Sequence, residues 1–113
     1  MSTKDDVREL ALALPEVTEK PCYGTPAFYA GGRIFARMHE QPGVLVCWLK
    51  DLDSKEMLLA AAPEAFFTTD HYRGHASVLV RLEHVDRVEL GEMLAEAWAV
   101  RAPARLRTKH GDG

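Results

Sequence analysis

The pair Gly31-Gly32 constrains the fold of this chain more than any other sequence feature. It separates two short runs of strand-forming residues, "PAFYA" at 26–30 and "RIFARMH" at 33–39. A two-residue connection is typical of a tight β-hairpin, in which both central positions need a positive φ that glycine adopts without steric cost. The pattern therefore predicts an antiparallel hairpin in the first half of the chain.

Helices are predicted at both ends of the chain. Thr3 followed by Asp6 resembles a helix cap, and apolar residues then recur at helical spacing until Pro15. The last helix is predicted to begin near Asp86 in "VDRVELGEMLAEAWAV", with one apolar face formed by Leu90, Leu94 and Ala97.

The middle of the chain predicts further strands and one short helix. A turn at "QPG" leads into the apolar strand "VLVCWL", and "DSKEMLLAAA" predicts a helix capped by Asp53 or Ser54. The runs "AFFTT" and "SVLVRL" predict two more strands. This order indicates the α+β class, with N- and C-terminal helices packed on one face of an antiparallel sheet, and the other face at least partly open. We expect one domain over residues 1–113, with 107–113 as a loose tail.

Basic residues concentrate in the predicted sheet and acidic residues in the helices, although the net charge is −3. Strict alternation along 33–39 predicts one shared outer face for Arg33, Phe35, Arg37 and His39. If the Gly31-Gly32 turn has two residues, Phe28 is paired opposite Phe35 on that face. Such a face has two interpretations. In the first, the arginines bind phosphates and the aromatic rings stack on bases. In the second, the face is the solvated side of an antiparallel sheet that carries one aromatic pair.

The loop "TTDHYRGH" places Asp70, His71 and Tyr72 side by side, and these residue types often serve as acid–base catalytic groups. However, Ser77 lies in no nucleophile motif, and Cys22 has no local helix start to activate it. His71 and His75 have a metal-like spacing, but Gly74 between them disfavours a helix. We therefore expect a binding loop or a hydrogen-bonded turn, with no catalytic residues, metal or cofactor.

Several stretches resemble the MmcQ/YjbR family of small bacterial proteins, among them "LPEVTEKPCYGTPAF", "GGRIFARM", "PGVLVCWL", "HYRGHASVLVRLEHVD" and "AWAVRAPARL". The resemblance runs from about Val7 to Leu106. It implies a two-layer fold like that of frataxin and CyaY. Members of this family are commonly described as DNA-binding proteins with a "double wing" arrangement, so the resemblance implies DNA binding. It implies no established enzymatic activity. The matching positions are the Gly31-Gly32 hairpin, the loop at 71–74 and the segment at 102–106.

We therefore expect a non-enzymatic binding domain that binds double-stranded DNA weakly. Its expected contacts are Arg33, Arg37, Tyr72, Arg73 and Arg105. The alternative is a small-molecule or protein-binding module, which takes an apolar or aromatic ligand on the open sheet face or at the loop His71–Gly74. With no apolar run of membrane-spanning length, no secretory signal and no metal-type cysteine spacing, we expect a reduced cytoplasmic monomer.

Overall fold

The computed structural model describes residues 1–111 and has the predicted α+β architecture. Its helices are α1 (Lys4–Leu12), α2 (Leu52–Ala61), α3 (Arg87–Arg101) and α4 (Ala104–Gly111). Its strands are β1 (Val17–Cys22), β2 (Thr25–Ala30), β3 (Arg33–Met38), β4 (Val44–Trp48), β5 (Phe66–Phe67) and β6 (Ser77–Arg81). The strands form one antiparallel sheet in the order β1-β2-β3-β4-β6-β5.

Two tight hairpins form the first half of the sheet. The predicted turn between β2 and β3 is confirmed, because Gly31 and Gly32 have φ of 56° and 88°. A second hairpin joins β1 to β2 through Tyr23 and Gly24, whose φ values are 53° and 80°. The sequence did not predict this turn or β1, because an aromatic residue rarely adopts a positive φ.

A β-bulge in β3 overturns the predicted strand faces. Tyr29 lies opposite Ile34, but the next pair along β2 is Phe28 with Ala36, so Phe35 is an extra residue. The predicted Phe28–Phe35 pair is therefore wrong, and both phenylalanines are buried in the main core. A bulge advances the alternation of side chains by one residue. Arg33 and Arg37 consequently do not share a face.

The main core lies between the sheet and helices α1 and α3. The predicted apolar face of α3 is confirmed, since Leu90, Leu94 and Ala97 are fully buried. Both predicted helix starts are confirmed as well. Thr3 and Asp6 form a reciprocal capping box, and the Asp86 side chain accepts a hydrogen bond from the Glu89 amide. Such caps satisfy amide groups that a helix cannot pair internally.

Three segments differ from the sequence-based expectation. The N-cap of α2 is Asp51, which accepts from the Ser54 amide, so the predicted caps at Asp53 or Ser54 are wrong. The strand expected at 65–69 shortens to Phe66–Phe67. The expected loose tail at 107–113 overlaps α4 as far as Gly111, and residues 112–113 lie outside the described part.

Candidate functional site

The open face of the sheet carries a second, smaller apolar cluster. Val44, Val46 and Leu79 alternate with core residues along β4 and β6, and Tyr72 from the loop packs on them. The predicted loop therefore folds over the open face. Tyr72 is its main anchor, with 7% of its surface exposed.

Lys55 of α2 holds this loop in place. Its Nζ donates to the carbonyl oxygens of Tyr72, at 2.7 Å, and His75, at 2.9 Å. The Lys55 side chain is buried, and this burial lowers the pKa of the ammonium group. Beyond Tyr72, the His75 ring contacts the Ser77 hydroxyl and the edge of Trp48. The loop is thus anchored from both α2 and the sheet.

Arg37 is the centre of the polar interactions on this face. Its Nη2 donates to the Tyr72 hydroxyl at 2.6 Å. Its Nη1 donates to the Thr25 hydroxyl, the Met38 carbonyl and the Glu40 carboxylate. Burial opposes the charge of Arg37, but the hydrogen bonds to Glu40 and Tyr72 outweigh it, so the pKa of Arg37 lies above its ordinary value. The same contact with Arg37 lowers the pKa of Glu40.

A groove of about 890 Å³ lies beside Arg37 and Tyr72 on this face. We call it the open-face groove. Its carbon-rich lining comes from Tyr23, Ile34, Trp48 and the ring of Tyr72. Its polar lining comes from Cys22, Arg37, His39, Glu40, Thr69 and His71. The groove therefore combines aromatic surface with a buried cation.

Two rings at the groove have defined orientations. The Nδ1 atom of His39 accepts a hydrogen bond from the Gln41 amide at 3.1 Å. Because an accepting ring nitrogen carries no proton, the proton of neutral His39 lies on Nε2. That Nε2 lies 3.6 Å from a Glu40 carboxylate oxygen. The His71 ring packs against Tyr72 in an edge-to-face arrangement, with ring centroids 4.9 Å apart.

The five residues expected to contact DNA do not form one surface. Arg37 and Tyr72 are buried against each other at the groove. The exposed Arg73 in the loop pairs with Asp70 at 2.8 Å.

Arg33 and Arg105 lie instead at the end of the molecule where the β2–β3 hairpin meets α4. Gly31 packs against Pro103 there. The pKa of Arg101 is lowered by burial and by the nearby charge of Arg33. Arg105 lies 3.5 Å from the Glu16 carboxylate. The expectation of a joint phosphate-binding face for Arg33 and Arg37 is therefore wrong, because the bulge separates them.

Sequence reasoning missed most of the groove. Tyr23, Ile34, Trp48, His39 and Glu40 come from four separate segments, and no spacing in the sequence brings them together. Only one feature of the sequence pointed towards the loop that borders this groove. Lys55 is the one basic residue in α2, and a lysine that is buried there needs acceptors from elsewhere in the chain.

The site offers binding groups rather than a metal-ligand set. Among the side chains that the structure describes, no three histidine, cysteine or acidic groups lie close enough together to hold a metal ion. Cys22 is half-buried at the groove, and Cys47 is buried in the core; both are free thiols. Burial and the nearby Glu96 raise the pKa of Cys47 to about 12. No helix in the described part has the length and apolar character needed to cross a membrane.

Known proteins resemble the chain over nearly its whole length. It is 28% identical to an uncharacterised protein of Mycobacterium tuberculosis and, to the same extent, to one of Mycobacterium bovis; each match covers 94% of this chain and 93% of the relative. The crystal structure of a Deinococcus radiodurans protein with a DUF419 domain has the same fold, with a TM-score of 0.76 and 24% identity. That match covers 98% of this chain and 89% of the other. The family model YjbR matches residues 12–100. The chain therefore belongs to the YjbR family.

Proposed function

We propose that this domain binds a small aromatic molecule in the open-face groove. The observation that carries the proposal is the placement of a buried guanidinium, Arg37, beside a lining of Tyr23, Ile34 and Trp48. Small-molecule sites are typically mostly apolar, with a few placed polar groups and a volume of roughly 300–1,000 Å³. The groove, at about 890 Å³, lies within that range.

The anchored loop supports this proposal. A ligand that orders a loop on binding loses part of its affinity to that ordering. Here Arg37 already holds the hydroxyl of Tyr72 and Lys55 holds its backbone carbonyl. The wall of the groove that contains Tyr72 is thus formed before a ligand arrives.

Tyr23 gives separate support. Its side chain is 89% exposed at the groove, and its φ is 53°, a conformation that an aromatic residue adopts at a cost in energy. Strained residues of this kind concentrate at functional sites. An exposed ring at the edge of an aromatic groove provides a surface on which a planar ligand stacks.

Binding of N-phenyl-1-naphthylamine, an uncharged aromatic dye that fluoresces in apolar sites, tests the proposal. We expect saturable binding to the parent protein. Tyr23→Asn should weaken it about tenfold through loss of one stacking ring, and asparagine tolerates the positive φ. The matched control is Val88→Asn, which removes an exposed apolar side chain on α3. No binding, or equal effects of the two changes, would reject the proposal.

The second candidate is weak binding of double-stranded DNA at the hairpin–α4 end, and one observation favours it. Arg33, Arg105 and Arg107 are exposed there, and Arg101 lies close to Arg33. In this second candidate function the phosphate contacts are Arg33 and Arg105, which the sequence predicted, together with Arg107. Arg37 and Tyr72 are left out because they are buried, and Arg73 because it lies in the loop.

Fluorescence anisotropy with labelled duplex DNA at several salt concentrations tests this candidate. Three phosphate contacts should give a slope of log K against log salt of about −3. The double change Arg33→Glu and Arg105→Glu should abolish binding. The control is Lys4→Glu, which reverses an exposed charge on α1 far along the chain from these arginines. Equal losses in both variants, or no binding by the parent, would reject DNA binding at this end.

A further inference from the structure

We infer that the groove ligand carries an anionic group, a carboxylate or sulfonate, which displaces the side chain of Glu40 from Arg37. The inference rests on the proposed function and adds the chemical class of the ligand. It predicts an aromatic acid, whose ring lies along the carbon-rich lining and whose charge lies at Arg37.

The first step of the argument concerns the neutralisation of Arg37. A buried guanidinium needs both acceptors and a compensating negative charge. Three of its partners, the Thr25 hydroxyl, the Met38 carbonyl and the Tyr72 hydroxyl, carry no charge in the neutral state. In the described part of the chain, the one carboxylate within ion-pair distance of Arg37 is that of Glu40, at 3.0 Å.

The second step concerns how firmly Glu40 is held. Its side chain is 55% exposed, whereas that of Arg37 is 9% exposed. Water screens the exposed, carboxylate side of this pair, and a long side chain loses freedom when it is held in one geometry. Because the guanidinium is buried, the carboxylate leaves readily only when another negative charge takes its place. Glu40 also lies just beyond the end of β3, so it can swing into solvent while the strand stays paired. The buried cation is permanent, but its counter-ion is replaceable.

The third step concerns the place that the Glu40 carboxylate occupies. One oxygen accepts from Arg37, and the other lies 3.6 Å from Nε2 of His39, the nitrogen that bears the proton. The carboxylate thus pairs with Arg37 and has the His39 N–H just beyond hydrogen-bond distance. The Tyr72 hydroxyl, which accepts from Arg37, lines the same groove and retains its own proton as a donor. A guanidinium with a second N–H group close by is typical of a site for an anion.

The fourth step joins this anionic position to the rest of the groove. Ile34, Trp48 and Tyr23 line the same cavity as Arg37 and Glu40. A ligand with a ring and a negative group therefore satisfies both parts of the lining at once. A neutral aromatic molecule leaves the Arg37–Glu40 pair undisturbed and uses only the carbon-rich part.

Two dyes that differ by a single charged group separate these cases. N-phenyl-1-naphthylamine is the neutral member, and 1-anilinonaphthalene-8-sulfonate has the same rings and adds a sulfonate. Both are titrated by fluorescence against the parent protein, Glu40→Gln and Glu92→Gln. Glu92 is exposed on α3 and lies outside the groove, so its change matches the loss of charge.

We expect Glu40→Gln to bind the sulfonate about tenfold more tightly than the parent, which corresponds to removal of one competing carboxylate near a cation. Affinity for the neutral dye should stay the same, and Glu92→Gln should bind both dyes like the parent. Thermal melting of each variant confirms that it is folded. The inference is overturned if Glu40→Gln and Glu92→Gln respond alike.

The result also distinguishes this inference from the proposed function. If the neutral dye binds and loses affinity in Tyr23→Asn, but Glu40→Gln leaves the sulfonate affinity unchanged, the groove is a binding site without an anionic position. If neither dye responds to Tyr23→Asn, the proposed function itself fails and the inference fails with it.

Discussion

The Nη2 atom of Arg37 donates a 2.6 Å hydrogen bond to the hydroxyl of Tyr72, joining β3 to a loop 35 positions later in the chain. Both side chains are at least nine-tenths buried. The bond fixes the loop over the open face and sets the polar end of the groove. It is also the most direct target for mutation, because the hydroxyl can be removed without a change in ring packing.

Tyr72→Phe should destabilise the protein by about 1–2 kcal/mol, because it leaves a donor of a buried arginine without its acceptor. Urea denaturation followed by circular dichroism measures the free energy of unfolding. The control is Tyr23→Phe, which removes a hydroxyl from a ring that is 89% exposed and should change stability by less than about 0.5 kcal/mol. Equal effects of the two changes would contradict the role assigned to the bond.

Lys55→Met should release the loop at 70–75 from α2. The substitution keeps a long chain but leaves the Tyr72 and His75 carbonyls without their donor. We expect a loss of about 1–3 kcal/mol in the free energy of unfolding, together with faster hydrogen exchange of the loop amides. Lys50→Met, at an exposed position just before α2, is the matched control. Unchanged exchange in the loop of Lys55→Met would show that Lys55 does not anchor it.

The buried thiol of Cys47 predicts a loss of stability at high pH. Its pKa is raised from an ordinary value of 9.0 to about 12 in the folded protein. The unfolded chain therefore releases this proton at lower pH than the folded one. The protonated thiol's contribution to the free energy of unfolding is fully present below about pH 9. It is lost as the pH rises towards 12, at most by about 1.4 kcal/mol per pH unit.

Urea midpoints between pH 8 and pH 11 test this contribution, with Cys47→Ala as the comparison. The alanine variant is less stable at pH 8 because it leaves a small cavity. Its stability should nevertheless fall less steeply with pH than that of the parent. Parallel slopes for the two proteins would refute the assignment.

The two glycines of the β2–β3 turn should respond differently to alanine. Both have a positive φ, so each change costs roughly 1 kcal/mol in backbone strain. At Gly31 the added Cβ would also lie 2.9 Å from the Pro103 ring, whereas at Gly32 it meets nothing within 4 Å. Gly31→Ala should therefore cost about 1–3 kcal/mol more than Gly32→Ala. Equal costs in thermal or urea unfolding would argue against the close contact between hairpin and α4.

Short-range structural features could be predicted from the sequence. The glycine pair predicted the β2–β3 turn, Thr3 and Asp86 predicted two helix starts, and helical spacing predicted the buried face of α3. Each of these depends on residues within a few positions of one another. The α+β class followed from the order of such elements, and the antiparallel sheet confirms it.

The candidate site depended on tertiary structure instead. Strict alternation placed Arg33 and Arg37 together, but the extra residue Phe35 separates them, and nothing in the sequence marks that bulge. The bulge turns Arg37 towards Tyr72, and α2 supplies Lys55 to hold the same loop. Backbone turns and caps are short-range effects, so sequence spacing encodes them. Whether a charged side chain is solvated or buried with partners depends on which distant segments pack beside it, and only the folded chain decides that.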